Sequence, residues 1–158
     1  MHARADKARV DFQSVAHLHN HMVGVLTMVD KPFYRAAPNP GAFFGSGPMP
    51  VYMDPALIQS VEQGDAVART LGKGDAVMLR GHGSMVVGQA IEWVFAAFVD
   101  VEEPAPRFYK ASLLGPVRLY SEDETQRTIK ARRKESVVQK IWDHNVAKTR
   151  LAGLMEGV

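Results

Sequence analysis

His17 and His19 stand two residues apart in Val15-Ala16-His17-Leu18-His19, and His82 sits far downstream in Arg80-Gly81-His82-Gly83. Alternate side chains of a strand project from one face, so a strand here sets the first two imidazoles side by side. A turn elsewhere can add the third. Three neutral imidazoles with one open coordination position make a divalent-metal site able to do catalysis. His21 falls on the same alternation, so His19 and His21 form a second candidate pair. Glycines on both sides of His82 let the backbone turn sharply and its ring reach inward.

The chain has no cysteine. That removes thiolate ligands, a cysteine nucleophile and a disulfide framework, and leaves His, Asp and Glu as the groups that can hold a metal. It also fits a cytoplasmic protein. At 158 residues, 46% hydrophobic and 23% charged, the sequence suits one ordinary soluble globular domain with a real core. Its first residues are polar, without the apolar stretch of a signal peptide. The longest apolar run, over 93–99, falls far short of the roughly 20 residues of a membrane span, so no membrane partner is expected. Net charge is only +2, and the dense basic cluster Lys130-Ala131-Arg132-Arg133-Lys134 reads as a solvated helix face rather than a nucleic-acid patch.

The elements that must position the histidines follow from the pattern around them. A short polar helix over 3–9 leads into a strand over 13–19, and an apolar stretch over 22–29 stops at Asp30-Lys31-Pro32. Residues 33–49, rich in Pro, Gly and aromatics, read as an ordered loop of a length that is often functional. Val51-Tyr52 is a short strand, and Asp54-Pro55 marks a helix start. That helix carries Leu57, Ile58, Val61, Val67 and Leu71 and ends at Gly72 and Gly74. Strands over 76–79 and 85–87 flank the Arg80–Ser84 turn, and an apolar helix covers 90–101. Pro104 and Pro106 interrupt the pattern. Ser121-Glu122-Asp123-Glu124 has capping-box spacing and opens a long helix to about residue 148. The sum is an α/β chain with a largely antiparallel sheet.

Taken in order, Val15–His19, Gly64–Gly72 and Ala76–Gly88 resemble the second half of the class II aldolase/adducin domain. Arg9-Val10-Asp11 resembles that family's Arg-Pro-Asp, and Ile91-Glu92 and Glu102-Glu103 sit where members carry such residues. The resemblance runs from about residue 2 to residue 103. It implies a three-layer α/β/α sandwich, with residues 1–120 as the domain and 121–158 as its helical extension. By position it makes His17, His19 and His82 the metal ligands, for zinc first and manganese or another divalent ion otherwise. The implied activity is a carbon–carbon lyase on a small-molecule substrate, by aldol cleavage of a sugar or sugar phosphate or by decarboxylation of a hydroxy-acid. A homotetramer with sites at its subunit interfaces comes with it.

Some loop residues, Phe33-Tyr34 and Ala42-Phe43-Phe44-Gly45 among them, look more like the decarboxylase-type branch. Aligned on the histidine strand, His2 falls on the family histidine that follows the catalytic glutamate. The resemblance therefore puts that glutamate, and the loops that cradle a substrate phosphate, ahead of Met1, and leaves the catalytic acid–base group unknown. A non-catalytic adducin-like or remnant domain is the alternative it leaves. Tyr34, Tyr52, Tyr109 and Tyr120 are the tyrosines that can donate a proton, as one does in some relatives, each with a packing role as its simpler reading. His144 reads as a surface residue on the last helix.

Overall fold

Continuous apolar runs such as Ala76-Val77-Met78-Leu79 give the central strands of the sheet two faces to bury, and helices pack on both. A computed structural model describes residue 9, residues 11–30 and residues 47–155. In chain order the elements are β1 (Ser14–Leu18), α1 (His21–Leu26), β2 (Val51–Tyr52), α2 (Val61–Leu71), β3 (Ala76–Leu79) and β4 (Gly83–Gly88). Four helices follow: α3 (Ile91–Glu102), α4 (Pro104–Leu114), α5 (Glu122–Arg132) and α6 (Glu135–Leu151). The sheet order is β1-β4-β3-β2, with β1–β4 and β4–β3 antiparallel and β3–β2 parallel.

On one face Ala76, Met78 and Val86 pack with Val23 and Leu26 of α1, Val94, Ala97 and Val101 of α3, Phe108 of α4 and Val138 of α6. On the other, Val77, Leu79, Met85 and Val87 pack with Val67 and Leu71 of α2 and with Phe12 and Tyr52. This is the expected three-layer α/β/α sandwich with a mostly antiparallel sheet. Trp142 of α6 meets Phe95 of α3 edge to face at 5.7 Å, which seats the last helix on the same layer. Among the described residues no helix is long and apolar enough to cross a membrane.

Several boundaries differ from the sequence reading. The apolar stretch after β1 folds as α1 over Met22–Leu26, opened by His21. The second helix does not begin at Asp54-Pro55. Asp54 closes a local turn, its Oδ1 accepting the Ala56 N–H at 2.9 Å. The helix starts six residues later, where Ser60 and Gln63 form a reciprocal capping box. Two backbone donors, Gln59 and Ser60, converge on Gln63 Oε1 there, which outcompetes the single Asp54 turn. Ser60→Ala is expected to cost about 1 kcal/mol in urea unfolding; an unchanged midpoint would show that the box carries no stability. Pro104 does end α3, but as the first residue of α4, where its missing N–H is harmless.

The long C-terminal helix also divides. Its Ser121–Glu124 capping box is present, yet α5 stops at Arg132 and α6 begins at Glu135. Successive helical residues point about 100° apart, and here Arg132 and Arg133 reach carboxylates on different elements. Arg132 Nη2 donates to Asp100 Oδ1 of α3 at 2.6 Å. Arg133 Nη1 lies 2.8 Å from Asp75 Oδ2, just ahead of β3. The basic cluster at 130–134 is therefore not wholly a solvated face, because two of its cations are committed to acidic partners inside the fold. Asp75 also faces Arg9, which pairs with Asp11 and donates to the Gly72 and Gly74 carbonyls. Burial raises the Asp75 pKa, against the opposing pull of Arg133 and Arg9. The expected helix over 3–9 and the loop over 33–49, Tyr34 included, fall largely outside the described residues.

Candidate metal centre

His17 lies on β1 opposite Met85 of β4, on the α2 side of the sheet with Val15. The β1–β4 ladder ends at the pair Leu18–Ser84, so His19 stands one residue past the last rung. His82 occupies the β3–β4 turn, its N–H donating to the Leu79 carbonyl at 3.0 Å. Its two glycine neighbours do different work. Gly81 takes a left-handed conformation (φ +66°) that side chains disfavour. Gly83 has ordinary backbone angles but touches β1: a Cβ there would lie 2.0 Å from the Leu18 carbonyl oxygen and 3.0 Å from His19 Cα. Only glycine permits that approach, and the approach puts His82 beside His19.

The three rings meet at that point. His19 Nε2 lies 3.0 Å from His17 Nε2 and 2.9 Å from His82 Nε2, and the ring centroids are 4.6 to 4.9 Å apart. A tetrahedral ion with metal–nitrogen bonds of about 2.0–2.1 Å holds its ligand atoms roughly 3.3 Å apart, so small ring movements complete such a site. The chemistry of the donor set fits as well. A neutral imidazole offers one N–H and one lone pair, so His19 Nε2 cannot make a good hydrogen bond to two ring nitrogens at once. A cation in the middle satisfies all three lone pairs. His17 is half-buried against the sheet while His19 and His82 are exposed, which opens the cluster on one side.

Among the described residues, these three histidines are the ones gathered closely enough to hold an ion together. His21 begins α1, so the strand alternation that made it a candidate ends before it, and the His17–His19 pair stands. His144 is exposed on α6. Tyr52 is buried on β2, three strands from β1, roughly 14 Å at ~4.8 Å per strand. Its hydroxyl points to Asp54 at 3.5 Å, and burial foremost, then the Asp54 charge, raises its pKa. It packs rather than facing the histidines, and Tyr109 lies half-exposed on α4. The sequence reading missed the buried polar residues behind the site, Asn20, Thr27 and Ser84, whose types are common in any loop or cap.

The model of the class II aldolase and adducin N-terminal domain matches residues 1–106, and the chain belongs to that family. No curated protein matches the sequence. An L-fuculose 1-phosphate aldolase from Glaciozyma antarctica PI12 has a similar structure, with a TM-score of 0.75 and 22% identity over 96% of this chain and 57% of that one. An aldolase II superfamily protein from Pseudomonas syringae gives 0.80 and 16% over 96% and 61%. An L-fuculose-1-phosphate aldolase from Thermus thermophilus gives 0.59 and 20% over 72% and 60%. The chain thus spans roughly three fifths of these structures, and at such identities the likeness is one of fold.

Proposed function

We propose that the protein is a divalent-metal-dependent carbon–carbon lyase of class II aldolase type, with His17, His19 and His82 as ligands and zinc as the first-choice ion. The observation that carries this reading is the convergence of three Nε2 atoms, two of its distances 2.9 and 3.0 Å, within a family fold. A bound divalent ion supplies Lewis-acid stabilisation of the negative charge that develops when a bond next to a carbonyl or hydroxy-acid group breaks. The histidines bring no negative charge of their own, so they hold the ion without diminishing its pull on an anionic substrate oxygen. The exposed His19–His82 side is where substrate approaches, and half-buried His17 forms the back wall.

Both aldol cleavage of a sugar or sugar phosphate and decarboxylation of a hydroxy-acid stay within the proposal, since structures of similar fold include L-fuculose 1-phosphate aldolases and a putative aldolase/epimerase/decarboxylase from Escherichia coli. An aldehyde product supports the first, and carbon dioxide release supports the second. Residues 1–120 as the domain, 121–158 as its helical extension, and a homotetrameric assembly belong to the same proposal; sedimentation measures the last.

His82→Ala provides the direct test. The wild-type chain is expected to carry about one equivalent of zinc, and the variant to lose stoichiometric binding, since two imidazoles alone make an incomplete site. A metal-free wild type in zinc-containing buffer, or a variant that retains its zinc, overturns the assignment.

A further inference from the structure

Two of the three histidines lie beyond the hydrogen-bonded ladder, so the sheet alone does not fix their spacing. His19 follows the last β1 rung, and His82 sits in the turn between the Leu79–Gly83 rung of β3–β4 and the Leu18–Ser84 rung of β1–β4. Beside the close approach of Gly83 to Leu18, two side-chain hydrogen bonds from the two ends of α1 tie these segments together.

At the first end, Asn20 immediately follows His19 and is buried, as is Ser84 two residues after His82. Ser84 Oγ donates to Asn20 Oδ1 at 2.5 Å, and Asn20 Nδ2 donates to Glu102 Oε2 of α3 at 2.8 Å. An ionised carboxylate only accepts, so Glu102 fixes which way the Asn20 amide faces and turns its oxygen toward Ser84. At the other end, buried Thr27 caps α1. Its hydroxyl donates to the Gly24 carbonyl at 2.8 Å and accepts the Gly81 N–H at 2.9 Å. The turn is thereby held at Gly81 and at Ser84, with His82 between the two bonds.

We infer that Asn20 and Thr27 are positioning residues for the metal centre, holding the His82 turn against the His19 end of β1 from opposite ends of α1. The inference rests on the metal reading above. Neither residue touches the ion. Each sets where a ligand-bearing segment stands, and supporting shells of this kind typically carry 10–100-fold in metal affinity.

The test is zinc affinity, measured by competition with a chromophoric chelator, together with the visible spectrum of the cobalt-substituted chain. Thr27→Val keeps the side chain's shape and removes both bonds, and Ser84→Ala removes the bond to Asn20. Both are expected to weaken zinc at least about 10-fold and to change the intensity of the cobalt bands. Asn20→Ala should do the same if it folds. Glu102→Gln retains an acceptor oxygen and should restore near-wild-type affinity where Glu102→Ala does not. Val67→Ala, a cavity on the α2 side of the sheet, is the control for lost stability and should leave affinity unchanged. Wild-type affinity in Thr27→Val and Ser84→Ala, or an equal loss in Val67→Ala, overturns the positioning role alone. A wild-type chain that binds no metal overturns the metal reading together with it.

Discussion

Gly83→Ala is expected to destabilise the protein by about 3 kcal/mol or more and to abolish zinc binding in the same step. The added methyl would sit 2.0 Å from the Leu18 carbonyl oxygen, a backbone atom with no rotamer to retreat into. Overpacking usually costs about 1–3 kcal/mol because side chains shift; here two strands must part, and the last rungs at Leu18–Ser84 and Leu79–Gly83 go with them. Gly81→Ala makes an instructive partner. Its methyl would find only Met28 Cγ, at 3.8 Å, so the penalty is the left-handed backbone alone, about 1–2 kcal/mol. Urea unfolding of both variants separates close approach from backbone strain, and a Gly83→Ala loss below that of Gly81→Ala would refute the steric account.

Arg132→Ala carries the second large effect. Asp100 is 1% exposed, and the Arg132 guanidinium meets it at 2.6 Å. Removing one partner of a buried ion pair typically costs about 3–5 kcal/mol, because the remaining charge keeps its desolvation penalty and loses this compensation. Arg132 is itself 21% exposed, so water can follow the path it vacates, and a loss near the lower end, about 3 kcal/mol, is expected. Exchanging the pair for apolar residues, Asp100→Leu with Arg132→Met, should recover much of that loss. A double-mutant cycle by chemical denaturation measures the coupling; a value under about 1 kcal/mol would place this contact among ordinary surface pairs.

Much of the site could be read from the sequence because its signals are local. Strand alternation placed His17 and His19 on one face, and the glycines around His82 announced a tight turn. What sequence alone left open was which pair on that face would meet His82, because His21 shares the alternation until a helix begins at it. Helix starts were legible where one cap stood unopposed, as at Ser121, and misread at Asp54, where the stronger reciprocal box lay at Ser60. The division between α5 and α6 leaves no local mark, since neither Pro nor Gly stands at 132–134. What stands at the division is a pair of contacts made only in the fold, Arg132 with Asp100 and Arg133 with Asp75. The Asn20, Ser84 and Thr27 bonds were hidden for the same reason. Their partners lie more than fifty residues away in the chain, and only the fold brings them together.

That distance along the chain bears on how the protein folds. His19 and His82 are separated by 63 residues, and their meeting depends on the long-range pairing of β1 with β4. An unfolded chain offers an ion only the local run of His17, His19 and His21. Any ion that prefers the assembled trio therefore adds its binding free energy to closure of the sheet, about 2.7 kcal/mol when free metal stands at a hundred times its dissociation constant. An ion bound there would then act as a fastener between β1 and β4, its binding free energy added to a pairing that joins distant parts of the chain.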